Sequence, residues 1–177
     1  MNIINIGRMT AQKDQILILK ALDNLKEKIK FRCLILGKGK NHANLLQFIT
    51  INKLKNQIKL MGFKPNPYPF IKQSDLFVLS SKYEGLPNVL LEAQYLEKFI
   101  ISTDCPTGPK EILLNGKLGD LIKVGSQKQL EKKILNYYKY RNNQIIKKKI
   151  KFGKKSMQRF DFEENCHKYY DTIKKYL

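Results

Sequence analysis

The sequence lacks most of the features that would fix a class at once. No apolar run approaches the roughly 20 residues that a bilayer-spanning helix needs. The opening residues, MNIINIGRMT, show no charged segment followed by an apolar one, so no secretory signal is read there. Cysteine is sparse and odd in number: Cys33, Cys105 and Cys166 lie far apart, and neither His42 nor His167 joins them in a ligand spacing. That argues against a disulfide framework and against a Cys/His metal centre. It suits free thiols in a reducing cytoplasm. No Ser/His/Asp or Cys/His arrangement suggests a nucleophile. There is no internal repeat and no low-complexity linker.

Negative charge and arginine are also scarce. Asp and Glu number 15 against 34 Lys and Arg, for a formal net charge of +19, and only four of the cations are arginine. Arg is the side chain that grips phosphates and guanine edges in bidentate fashion. A lysine-dominated chain is therefore a poor candidate for sequence-reading nucleic-acid contacts. The charge leaves three readings: plain solvated surface, attraction to an anionic membrane surface, or nucleic acid. The lysines run along the whole chain, with some concentration after residue 126.

What is present is an alternation. The 177 residues, 42% hydrophobic, suffice for one domain with a substantial core. Short β-branched runs at 2–6, 31–37, 57–62, 75–81, 98–102 and 120–124 predict strands. Helical spacing predicts helices at 15–28, with Asp14 as N-cap, at 44–54, around 68–73, at 87–97 and at 108–115. From 127 the pattern is helical and lysine-rich, with breaks near Asn142–Asn143 and Phe160–Asp161. This order predicts an α/β fold: a Rossmann-like parallel sheet of about six strands with helices on both faces, and a helical C-terminus. The expected organisation is a single domain over 1–177, with its core at 2–125 and a helical segment at 126–177.

In such a sheet ligands bind beyond the carboxyl ends of the strands. The residues that follow each predicted strand are Gly7, Arg8 and Lys13; Gly37-Lys38-Gly39; Gly62, Phe63 and Lys64; Tyr83, Glu84 and Gly85; and the Thr103–Pro109 stretch with Thr107 and Gly108. Glycines, cations and hydroxyls thus gather at one edge, as a diphosphate would require. Gly85-Leu86-Pro87-Asn88 opens a helix, with Pro87 fitting the first turn, whose free amides and dipole favour an anion. Glu92 stands on this otherwise apolar helix, on the face of Asn88. A carboxylate there is costly unless it is used, and a vicinal diol such as a ribose would use it. Glu84 projects from a strand end into the crevice, where it could hold sugar hydroxyls. Arg8 and Lys13 would neutralise a diphosphate and stabilise it as a leaving group. Gly37 and Gly39 do not complete a dinucleotide fingerprint and read equally as a turn.

GRMTAQKDQ, LILGKGK, SDLFVLSS, YEGLPNVLLEA and STDCPTGPKEIL, in this order, resemble the donor-binding half of family 4 glycosyltransferases, retaining enzymes of the GT-B fold. The resemblance spans about 2–125, includes an E-x7-E element at Glu84 and Glu92, and is strongest to bacterial enzymes building surface polysaccharides or lipid-linked oligosaccharides. It implies that Arg8 and Lys13 hold the donor diphosphate, that Glu84 contacts the donor sugar and that Glu92 binds the ribose. It also implies that Phe63-Lys64 lies against the base, and that Gly85 to Asn88 with Thr107 and Gly108 complete the pocket. The expected donor is a nucleotide-diphosphate sugar, UDP-linked, with no further cofactor and no metal. An N-terminal acceptor domain is expected to be absent from this chain and supplied by another domain or subunit. Localisation is expected to be cytoplasmic, peripheral at the inner face of the membrane, with no nucleic acid as partner. Leu96-Glu97-Lys98 departs from the family, which commonly has glycine before the fifth strand. The alternatives are a non-catalytic nucleotide-sugar-binding remnant or subunit and, more distantly, a basic nucleic-acid-binding domain.

Overall fold

The computed structural model describes residues 1–176 and carries six parallel strands in the order β3-β2-β1-β4-β5-β6. The strands are β1 (Asn2–Ile6), β2 (Arg32–Leu36), β3 (Ile58–Gly62), β4 (Leu76–Leu79), β5 (Phe99–Thr103) and β6 (Asp120–Ile122). Between them run α1 (Gln15–Leu25), α2 (His42–Ile51), α3 (Tyr68–Lys72), α4 (Asn88–Tyr95) and α5 (Pro109–Ile112). The lysine-rich remainder forms α6 (Gln127–Tyr140), α7 (Gln144–Lys155), a 3-10 turn at Ser156–Phe160 and α8 (Phe162–Lys174).

The central strands are apolar throughout because both faces are covered. Every residue of β4 and β5 is buried. On one face Ile3, Cys33 and Ile58 pack with Ile18, Leu19 and Leu22 of α1, with Leu45 and Ile49 of α2, and with Leu130 and Ile134 of α6. On the other, Ile4, Leu36, Phe77 and Ile100 pack with Ile71 of α3, Leu90 and Ala93 of α4, and Ile112 of α5. Each fully buried Leu, Ile or Phe is worth about 1.5–3 kcal/mol, so the two layers fix which edge of the sheet each loop reaches.

Two local expectations need correction. Asp14 precedes α1 but makes no side-chain cap; it sits in the left-handed region at φ 46. Burial raises its carboxyl above the usual range, against the lowering influence of Lys82 and Lys20. The turn closes instead through backbone bonds to Thr10 O from the amides of Lys13 and Asp14. Pro87 stands one residue before α4 rather than inside its first turn, and its carbonyl accepts from Leu90 N. The family's missing glycine has a structural counterpart. At the end of α4, Glu97 N donates to Gln94 O and Lys98 N to Ala93 O, a Schellman closure that puts Glu97 at φ 57. Cys33 and Cys105 are buried free thiols, Cys33 pushed up to about 12 by burial, and Cys166 is an exposed free thiol.

Candidate functional site

The strand order reverses between β1 and β4, so the loops leaving their carboxyl ends flank the crevice where ligands of this architecture bind. Side chains tie these loops together. Ser80 Oγ donates to Lys13 O at 2.8 Å, Gln12 Nε2 to Tyr83 O at 3.0 Å, and Lys82 N to Gln12 O at 2.8 Å. The loop after β5 joins them: Thr103 Oγ1 donates to Ser81 O at 2.6 Å, and Thr107 Oγ1 to Glu84 O. The sequence signals for these ties are the hydroxyl pairs Ser80-Ser81 and Ser102-Thr103 at strand ends. Their role as loop clamps is not among the sequence expectations.

Close backbone contact accounts for three of the expected glycines. A Cβ on Gly108, at φ 79, would overlap Gly85 O and lie 2.5 Å from Pro87 Cδ. A Cβ on Gly37 would overlap Gly7 O, and one on Gly39 would overlap Met9 O. Gly37 and Gly39 therefore seat the β2 loop against the β1 loop, with Gly7 N bonded to Leu36 O and Met9 N to Lys38 O. Gly85 itself has open space where a Cβ would stand.

Lys13 and Glu84 meet. Lys13 Nζ lies 2.6 and 2.8 Å from the two Glu84 oxygens, and Ser81 Oγ also donates to Glu84. The two side chains are only 16% and 7% exposed, so this is a sheltered pair held by a hydroxyl. The sequence expectation gives Lys13 to a diphosphate and Glu84 to a sugar; the structure joins them before any ligand is considered. Arg8 is exposed on the same edge, and its guanidinium makes no ion pair among the described residues. Leu86 and Asn88 are exposed at the mouth of α4, where the amides of Asn88 and Val89 have no carbonyl one turn back and Leu90 N is bonded to Pro87 O.

Glu92 occupies the outward flank of α4, in an apolar groove of about 470 Å³ lined by Tyr68, Leu91, Tyr95, Leu96 and Met157. Its Oε2 is buried and has no hydrogen-bond partner, and burial raises its carboxyl above the usual range. A buried acceptor with nothing to accept is uncommon in a folded protein and calls for an explanation. Phe63 is exposed, and Lys64 Nζ lies 5.9 Å from the Phe70 ring centre. Among the described residues no three His, Cys, Asp or Glu side chains converge as a metal set.

The comparisons with known proteins bear on the fold and the family. A curated glycosyltransferase of Methanocaldococcus jannaschii, itself uncharacterized, is 44% identical over 111 residues, covering 62% of this chain and 27% of the relative. The Campylobacter jejuni N-acetylgalactosamine-N,N'-diacetylbacillosaminyl-diphospho-undecaprenol 4-alpha-N-acetylgalactosaminyltransferase is 30% identical over 128 residues, covering 72% of this chain and 34% of the relative. Anabaena HepE in complex with UDP superposes with a TM-score of 0.86 at 21% identity, over 98% of this chain and 48% of that one. That likeness establishes the fold, the Rossmann-like half of a GT-B architecture. The chain spans about a third of the length of the curated relatives it matches. The family model described as "Glycosyl transferases group 1" matches residues 2–157, and the chain belongs to that family.

Proposed function

We propose that this chain is the donor-binding half of a retaining glycosyltransferase that moves a sugar from a UDP-linked donor to a polysaccharide or lipid-linked acceptor. The observation that carries the reading is the Glu92 carboxylate, sheltered on α4 with one oxygen unpartnered, four residues beyond the helix mouth at Asn88. Helical side chains lean towards the N-terminus, so Glu92 reaches towards a ligand seated there. Two ribose hydroxyls would donate to it while the diphosphate meets the first-turn amides of α4. The Campylobacter relative named above acts on a diphospho-undecaprenol-linked sugar, and the HepE crystals contain UDP; both support the substrate class.

In this mechanism the bond between the sugar's anomeric carbon and the diphosphate oxygen breaks first. The charge on the departing diphosphate falls to Arg8, Lys13 and the helix amides. Glu84, held by Lys13 and Ser81, faces the positive charge that develops on the sugar ring. The acceptor hydroxyl attacks from the side the diphosphate leaves, and its proton passes to that diphosphate. Phe63 and Lys64 would meet the base, and Thr107 and Gly108 would brace the loop of Glu84. The acceptor comes from another domain or subunit. α8 supports this: Phe162, Tyr169 and Ile173 form one exposed apolar stripe at helical spacing. We place the protein in the cytoplasm, peripheral at an anionic membrane surface, a reading supported by the net charge of +19. No helix among the described residues is long and apolar enough to cross a membrane.

Calorimetric titration of the chain with UDP, GDP and their sugar conjugates tests the reading. UDP should bind, and Glu92→Ala should weaken it at least about tenfold, the scale of a lost charged hydrogen bond. Equal binding of UDP by the variant would refute the ribose assignment.

A further inference from the structure

The edge of the sheet opposite the donor residues receives every helix-to-strand connection, and it is strongly basic. Lys26, Lys28 and Lys30 between α1 and β2, with Arg32 opening β2, stand against Glu27 and, through Lys26, Asp23. Lys53 and Lys55 precede β3, Lys72 ends α3, and Lys117 precedes β6. A recess of about 330 Å³ opens here between Arg32 and Lys59, floored by Leu34 and Phe70.

α7 completes this edge. Its inner side is fixed beneath the first residues of β5 and β6. Lys149 Nζ lies 6.0 Å from the Phe99 ring centre and 3.1 Å from Asp120 Oδ1, and Gly153 packs on Gln94. Ile146 and Ile150 join the core. The outer side carries Lys147, Lys148, Lys151 and Lys155, all exposed and without an ion-pair partner among the described residues. Beside them stand Ile145 and Phe152, seven residues apart on one flank, 65% and 59% exposed. Nothing in the donor chemistry uses this helix.

We infer that the amino edge of the sheet, with α7 beneath its β5–β6 end, is a docking face for an anionic lipid surface. A row of unpaired lysines bordered by an aromatic and a branched aliphatic side chain is the chemistry of a helix lying in a bilayer interface. The lysines meet headgroup phosphates, and Ile145 and Phe152 enter the acyl boundary. Scarcity of arginine disfavours nucleic acid as occupant of the same face. Docking by this edge leaves the donor pocket a full strand length away, about 17 Å or more, and open to soluble nucleotide-sugar. The inference rests on the membrane reading made above and names its surface; it stands apart from the donor assignment.

The test is sedimentation of the full chain with vesicles of phosphatidylcholine alone or mixed with phosphatidylglycerol, at low and high salt, with UDP calorimetry on each variant. Binding should require phosphatidylglycerol and weaken with salt. The quadruple variant Lys147→Glu, Lys148→Glu, Lys151→Glu, Lys155→Glu should lose about a thousandfold in partitioning, and Phe152→Ser several-fold, both with UDP affinity and circular dichroism unchanged. Equal pelleting with neutral vesicles, full pelleting of the quadruple variant, or tighter binding to RNA than to anionic vesicles would overturn it. Loss of UDP binding by the wild type would count against the donor reading and leave this one standing.

Discussion

The two edges of one sheet show how the same topology carries opposite electrostatics. At the carboxyl edge charges are paired and roped to backbone: Lys13 to Glu84, Ser81 to Glu84, Thr103 to Ser81. Glycines there permit loop on loop at distances no side chain would tolerate. At the amino edge the cations are numerous and mostly unpaired, and α7 presents four lysines to solvent. A paired, tightly packed edge suits the shaping of a small-ligand site. An unpaired, flat edge suits a broad surface of opposite charge. Substitutions at the first edge should therefore cost stability, and substitutions at the second should not.

The largest effect is expected at Gly108. Gly108→Ala sets a Cβ against Gly85 O and Pro87 in a left-handed backbone. It should cost on the order of 3 kcal/mol and lower the thermal midpoint by roughly 6–12 °C. Gly85→Ala, with free space, should shift the midpoint by about 2 °C or less. Similar midpoints for the two variants would break the contrast. Next comes Glu84→Gln, which strands the Lys13 ammonium in a sheltered place. About 2 kcal/mol of stability should be lost by denaturant titration. In an assembled two-domain enzyme kcat should fall at least about a hundredfold.

Glu92 should behave in the opposite sense. Burial holds its carboxyl above the usual range, so between the unfolded and folded values the folded state keeps a proton that the unfolded state has released. Folding stability from this group is therefore greatest below the unfolded value and is lost as pH rises through the folded one. Glu92→Gln should raise stability at neutral pH by about 1 kcal/mol at most, since the group is partly solvent-screened, and change nothing at the acid end. Thermal melts across pH check the sign. UDP affinity should fall as pH drops through the raised carboxyl value, because the neutral carboxyl accepts from ribose hydroxyls more weakly than the carboxylate does. Smaller still is Glu97→Gly, which relieves the left-handed residue closing α4 and should add about 0.5–1 kcal/mol. The loss of its exposed contact with Lys154 at 3.4 Å should matter little. Reversing the α7 lysines should move stability by about 0.5 kcal/mol or less.

Much of this was legible in the residues. Runs such as LFVL and FIIS betray strands buried on both faces, and the breaks at Asn143 and Asp161 mark true helix starts, each capped by its own side chain. The gathering of glycines and charges at one edge followed from alternation alone. What the sequence hid were contacts across long separations. Lys13 and Glu84 lie 71 residues apart, so periodicity gives no hint of their pairing. The need for glycine at 37, 39 and 108 comes from the approach of another loop as well as from a positive φ, and neither is visible in local sequence. Asp14 satisfied a capping preference by type, yet its backbone turns left-handed and the side chain does not cap. The passage of α7 beneath the sheet depends on Lys149 and Gly153 finding β5, β6 and α4, which no local pattern announces.

The central claim is that the carboxyl edge holds a nucleoside diphosphate through Glu92 and the mouth of α4. The most direct measurement is calorimetric titration of the chain with UDP near neutral pH and again at mildly acidic pH, alongside Glu92→Gln. Saturable binding by the wild type is expected, losing more affinity at acidic pH than the variant does, with binding by the variant weak at both. Tight, pH-independent binding shared by both proteins would contradict it.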